Sequence, residues 1–152
     1  MKKLLVFDMD GTIADLYGVD GWLEDLRNED VAPYVVAKPM YDTAILNSVL
    51  TILRMCGWKV VVTTWLAKGA SAEYDEAVAK AKVEWLNKYH FPYDEIHCVP
   101  YGTAKASCTC ADGGYQILFD DNAEVRNEWH LGKTVDATHD ILDALFELVD
   151  RE

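Results

Sequence analysis

Two hydrophobic periods alternate along this chain. Short apolar runs at Leu4–Phe7, Trp58–Thr64, Ile96–Val99, Gln116–Phe119 and Thr134–Ala137 have the length and composition of buried strands. Between them lie segments with helical spacing. From Pro39 to Cys56, apolar side chains recur at Tyr41, Ile45, Val49, Ile52, Leu53 and Cys56, with Pro39 suited to the first turn and Gly57 to the end. From Ser71, a good N-cap, to Tyr89, the stripe is Tyr74, Val78, Ala81, Trp85 and Tyr89. Asn122 can cap a short helix over Ala123–Trp129, and Asp140–Val149 reads as a terminal amphipathic helix. Strands alternating with helices predict an α/β fold, a Rossmann-like parallel sheet with helices on both faces. Residues 1–152 read as a single domain.

One stretch breaks the alternation. After the first strand, Ala14 to Lys38 is polar, acidic and aromatic, with one short helix around Trp22–Asn28 and breaks at Asp20-Gly21 and Asp30–Pro33. It reads as a small helical cap inserted at about residues 15–38. Its aromatic residues, Trp22 and Tyr34 among them, either pack the cap onto the core or line a pocket for a planar group.

The chemistry lies where the apolar runs stop. Leu4–Phe7 ends in Asp8-Met9-Asp10-Gly11-Thr12, the second strand in Thr63-Thr64, and a later one in Asp120-Asp121. In a parallel α/β sheet, ligands bind at the carboxyl ends of the strands, so these groups are expected at one edge. A single Asp pair is ordinarily a cap with a solvated neighbour. Several strands repeating the pattern imply instead that a cation relieves the repulsion, and hard oxygen donors with no clustered His point to Mg²⁺.

Charge narrows the partners. The chain has a formal net charge of −12, which disfavours direct contact with duplex nucleic acid or an anionic membrane. A small anionic substrate remains possible where a metal reverses the local field. Apolar residues make up 51% of the chain, enough for an ordered core. Met1-Lys2-Lys3 and the apolar run behind it resemble a signal peptide only superficially, because Asp8 interrupts them. A cytoplasmic location is expected, with the four cysteines mostly reduced.

Asp8-Met9-Asp10-Gly11-Thr12 resembles the DxDGT signature of the haloacid dehalogenase-like (HAD) hydrolases. Thr63-Thr64 after an apolar strand, Lys105, and Asp120-Asp121 resemble the family's second, third and fourth motifs. The small cap, the run Glu84-Trp85-Leu86 and Leu118-Phe119-Asp120-Asp121-Asn122 are most similar to the 5′-nucleotidase (deoxyribonucleotidase) branch. The loop between Lys105 and Asp120, which carries Cys108 and Cys110, is longer than that branch's pattern. The resemblance implies a phosphomonoesterase in which Asp8 is the nucleophile and Asp10 the acid/base. It implies Mg²⁺ held by Asp8, the Asp10 backbone carbonyl and Asp120 or Asp121. Thr64 or Thr63 would bind a phosphoryl oxygen, Lys105 would contribute positive charge with Lys68 as the fallback, and Thr12 would brace the turn. The expected partner is a small phosphorylated substrate such as a nucleotide.

Other readings keep the fold: a phosphotransferase, the phosphatase module of a nucleic-acid-processing system, or a non-catalytic binding protein. The intact acidic and lysine motifs disfavour the last. His97, Cys98, Cys108 and Cys110 could offer four zinc ligands, but they form no CxxC pair, so unliganded thiols are expected. Cys56 fits a buried helix position.

Overall fold

The first apolar run becomes the middle of a sheet. The computed structural model describes residues 2–108 and 114–152. Its elements are β1 (Lys3–Phe7), β2 (Ala14–Asp15), α1 (Trp22–Arg27), α2 (Ala32–Val36), β3 (Lys38–Pro39), α3 (Thr43–Met55) and β4 (Trp58–Trp65). There follow α4 (Ala72–Lys88), β5 (Glu95–Val99), α5 (Lys105–Cys108), β6 (Tyr115–Asp120), α6 (Ala123–Glu128), β7 (Gly132–Asp136) and α7 (Ile141–Arg151). Among the described residues, the main sheet has five strands in the order β5-β4-β1-β6-β7, every pair parallel. No helix among these residues is long and apolar enough to cross a membrane.

Strand alternation divides the core. Leu5, Phe7, Val60, Val62, Ile117 and Phe119 face Leu46, Leu50 and Leu53 of α3 and Ile141, Leu145 and Leu148 of α7. Leu4, Val6, Val61 and Leu118 face the thinner layer of Ala106, Val125 and Trp129. The chain builds outward from β1 through β4 to β5, then crosses to β6 and β7 on the other side. The order therefore reverses beside β1. At such a switch point the loops leave the strand ends in opposite directions and open a crevice.

The stretch after β1 leaves the sheet and returns to it at one place. β2 and β3 pair antiparallel, Ala14 with Pro39 and Asp15 with Lys38, and α1 and α2 lie between them. Leu16 and Tyr34 pack on Tyr74, Val78 and Ala81 of α4. The Tyr74 hydroxyl donates to the Asp30 carbonyl at 2.8 Å, and the Ser71 amide donates to Glu29 Oε2 at 3.0 Å.

Several local expectations change. The long helix begins at Thr43 because the Asp42 side chain caps it, accepting from the Ile45 amide at 3.0 Å; Pro39 belongs to β3. The buried stripe of α3 is Leu46, Val49, Leu50 and Leu53, while Ile45, Ile52 and Cys56 are exposed. The spacing read from Tyr41 was about one residue out of phase with the face that meets the sheet. Pro33 opens α2 rather than ending a helix, because proline costs nothing in a first turn. The stretch from Pro100 to Gly114 contains α5.

Candidate active site

Asp8 follows β1 directly, and its amide donates to the Phe119 carbonyl of β6 at 2.9 Å. The chain then winds around the Met9 carbonyl, which accepts from the amides of Thr12, Ile13 and Ala14. This tight turn requires Gly11. Its φ is +81°, and a Cβ there would run into the Asp121 carboxylate and the Tyr17 ring. Gly11 thus lets the β1 turn approach the end of β6, bringing the two acidic pairs together.

The resulting cluster is dense in charge. Asp8, Asp120 and Asp121 each place a carboxylate oxygen within 4.8 Å of the others. Lys105, reaching in from α5, bridges two of them, with Nζ donating to Asp8 Oδ1 and Asp120 Oδ2 at 2.7 Å each. Burial opposes the Lys105 charge, yet its carboxylate partners hold its pKa above the ordinary lysine value. Thr12 Oγ1 donates to Asp8 Oδ2 at 3.0 Å, so it braces the carboxylate itself as well as the turn. Asp120 is oriented further by the Asn122 amide, which donates to Oδ1 at 2.9 Å. Burial is the main cause that raises the pKa of Asp120, with the Asp8 charge adding to it.

Asp10 stands apart from that cluster. Its Oδ2 accepts from Lys82 Nζ at 2.9 Å. Lys82 is fully buried in α4 and also donates to Thr64 Oγ1 at 2.6 Å and the Trp65 carbonyl at 2.8 Å, with its ammonium 5.2 Å from the Tyr34 ring centroid. Burial raises the pKa of Asp10, opposed by Lys82 and reinforced by Asp8. Lys82 escaped sequence reading because it looked like one more polar residue in a helix. Its position was informative, however: four residues after Val78 and three before Trp85, it falls inside the buried stripe, where an unpaired lysine is not tolerated.

The oxygen donors suit a hard divalent cation. Asp121 carries the clearest sign of mutual repulsion: burial first, then its contact with Asp8, pushes its carboxyl up to about 8. A bound Mg²⁺ would relieve the repulsion that a proton otherwise relieves. Asp121 is protonated more readily in the folded protein than in the unfolded chain, so its contribution to stability falls as pH rises from about 4 to about 8. Without metal, melting temperature is therefore expected to drop between pH 5 and pH 8. Asp121→Asn should flatten that slope, and so should millimolar Mg²⁺ in the wild type. A slope indifferent to both would contradict this account of the cluster.

Above the carboxylates lies a cavity of about 400 Å³. Asp8, Asp10, Asp120, Asp121 and Lys105 line its floor. Tyr17, Trp22, Leu23, Leu26, Arg27 and Tyr34 contribute one wall, and Trp65, Leu66, Ala67, Lys68 and Tyr101 the other. Each wall holds an aromatic pair. Tyr17 and Trp22 meet edge-on with centroids 4.9 Å apart, and Trp65 and Tyr101 lie tilted at the same separation. Tyr34 is only 4% exposed and packs with α4, whereas Trp22 is half-buried. Lys68 is exposed on the rim, 5.8 Å from the Tyr101 ring centroid.

Thr63 and Thr64 are fully buried and do not appear among the cavity-lining residues. By strand alternation Thr63 shares the face of Val61, and Thr64 that of Val62. Of the residues weighed for zinc, His97 and Cys98 are adjacent on β5, and burial pushes the Cys98 thiol up. Cys110 and the Cys108 side chain lie outside the described residues.

No protein-family model and no curated protein matches the chain. A solved structure does: a D,D-heptose 1,7-bisphosphate phosphatase from Burkholderia thailandensis aligns over 97% of this chain and 99% of that one, with a TM-score of 0.56 and 14% identity. The two share a fold. The parallel Rossmann-like sheet expected from the hydrophobic pattern is thus observed directly and recurs in that protein.

Proposed function

We propose that this protein is a Mg²⁺-dependent phosphomonoesterase that works through an aspartyl-phosphate and prefers nucleoside monophosphates. The observation that carries this reading is the division of the four carboxylates. Asp8, Asp120 and Asp121 cluster together with Lys105 bridging the first two, while Asp10, two residues from Asp8, has a separate lysine. A nucleophile and an acid/base need this kind of separation, because one must stay ionised while the other exchanges a proton. The phosphatase that shares the fold supports the reaction class.

In this mechanism an Asp8 oxygen attacks phosphorus, and the bond to the ester oxygen breaks as the new P–O bond forms. Asp10 gives its proton to the departing oxygen. Water then attacks the same phosphorus, passes a proton to Asp10, and releases phosphate and the Asp8 carboxylate. Lys105, poised between Asp8 and Asp120, stabilises charge on the transferring group. Bound Mg²⁺, held by Asp8, the Asp10 carbonyl and Asp120 or Asp121, would shield the nucleophile from the repulsion of the phosphate anion.

The aromatic walls favour a planar leaving group. Stacking on Trp22 supplies binding that is equal in ground and transition states, so Trp22→Ala is expected to raise KM for a nucleotide about tenfold while kcat changes little. A panel of ribo- and deoxyribonucleoside monophosphates against sugar phosphates, with and without EDTA, tests the whole reading. Activity that survives EDTA removes the metal. Equal weak rates across the panel remove the nucleotide preference.

A further inference from the structure

A lysine ammonium has three donors, and Lys82 spends all of them inside the protein: on Asp10 Oδ2, on Thr64 Oγ1 and on the Trp65 carbonyl. It is fully buried, with the Tyr34 ring beside it, and it does not line the cavity. The side chain therefore does not touch a substrate. It ties the loop after β1 to the end of β4 through α4. A buried ammonium is costly unless its partners are fixed, so this arrangement has a single favoured geometry. With Oδ2 committed to Lys82, Oδ1 is the oxygen of Asp10 left for proton transfer.

We propose that Lys82 is the positioning residue for the acid/base: it holds the Asp10 carboxyl so that one defined oxygen meets the leaving group. This rests on the phosphatase reading above. The chemical step is the one already written, in which the Asp10 proton passes to the ester oxygen as its bond to phosphorus breaks. Lys82 contributes orientation to that transfer and exchanges no proton itself.

Orientation of an acid matters in proportion to how much the leaving group needs a proton. An alkoxide leaves poorly without one, whereas p-nitrophenolate leaves readily. Lys82→Met, close in length but unable to donate, is therefore expected to lower kcat/KM on a nucleoside monophosphate or alkyl phosphate by about 100-fold, within the range general acid catalysis supplies. On p-nitrophenyl phosphate the same variant should lose less than about tenfold. Combining it with Asp10→Asn should cost little beyond Asp10→Asn alone, since both remove the same function. A loss that is equal for all leaving groups, or fully additive with Asp10→Asn, would overturn the proposal and leave Lys82 a purely structural anchor. Where Lys82→Met does not fold, by near-ultraviolet circular dichroism, Thr64→Val carries the test, because it removes one tether of Lys82 while keeping the ammonium. It should show the same dependence on the leaving group at smaller amplitude, and a uniform loss would again overturn the proposal. A wild-type protein inactive on both classes of ester, with Mg²⁺ present, would instead overturn the phosphatase reading itself.

Discussion

Asp8→Asn should abolish turnover, by on the order of 10⁴-fold or more, whatever ester is offered. Asn has the shape of Asp and can still accept from Thr12, so the turn after β1 keeps its brace. What disappears is the ionised oxygen that, in the proposed mechanism, attacks phosphorus. The loss should be as large for p-nitrophenyl phosphate as for a nucleotide, because every ester needs the nucleophile. This separates Asp8 from Asp10, whose removal should matter most for poor leaving groups. The variant should remain folded: one negative charge leaves a crowded cluster, and Lys105 retains Asp120. Steady-state rates with two substrates, beside a thermal melt, check both parts. Substantial hydrolysis by Asp8→Asn would dismiss the covalent mechanism.

Lys105→Met should have the largest effect on stability. Lys105 is almost wholly buried and is the cation within hydrogen-bonding distance of both Asp8 and Asp120. Its removal strands two carboxylates in a poorly solvated site, a change that costs about 3–5 kcal/mol when a buried pair is broken. For a chain of this size that corresponds to a fall in melting temperature of roughly 10 °C. Because the cost comes from unrelieved negative charge, Mg²⁺ should restore part of the lost stability, and low pH should do the same. Activity should fall with stability held constant as well, by about 100-fold, since the transferring group loses a stabilising charge. A Lys105→Met protein that melts like the wild type in EDTA would mean the acidic cluster does not depend on this lysine.

The sheet was the most legible part of the sequence, because buried parallel strands are continuous apolar runs and their polar endings mark one edge. Asp8, Thr63-Thr64 and Asp120 do sit at the carboxyl ends of three adjacent strands. The phase of α3 was harder, since Ile45 and Ile52 are apolar yet exposed, and an apolar residue on a surface leaves no mark in the pattern. Residues 14–39 were least readable. Their structure depends on contacts with α4 made by Leu16 and Tyr34, which no local periodicity encodes. Lys82 was half legible: its place in the buried stripe of α4 marked it as unusual, but not what it pairs with. Its partners lie 72 and 18 residues away, at Asp10 and Thr64, and only the assembled fold shows why a charge belongs there.

The two-residue ribbon of β2 and β3 bears on how such a molecule can change. Asp15 and Lys38 are paired neighbours, so the chain departs and returns through a doorway of fixed width. Whatever lies between them can lengthen, shorten or be replaced without shifting the register of β1 against β4 and β6. One wall of the cavity and the carboxylates beneath it are thus written on separately editable stretches of sequence. A library randomised between Leu16 and Ala37, sparing the face that meets α4, would explore new specificities on an unaltered chemical floor.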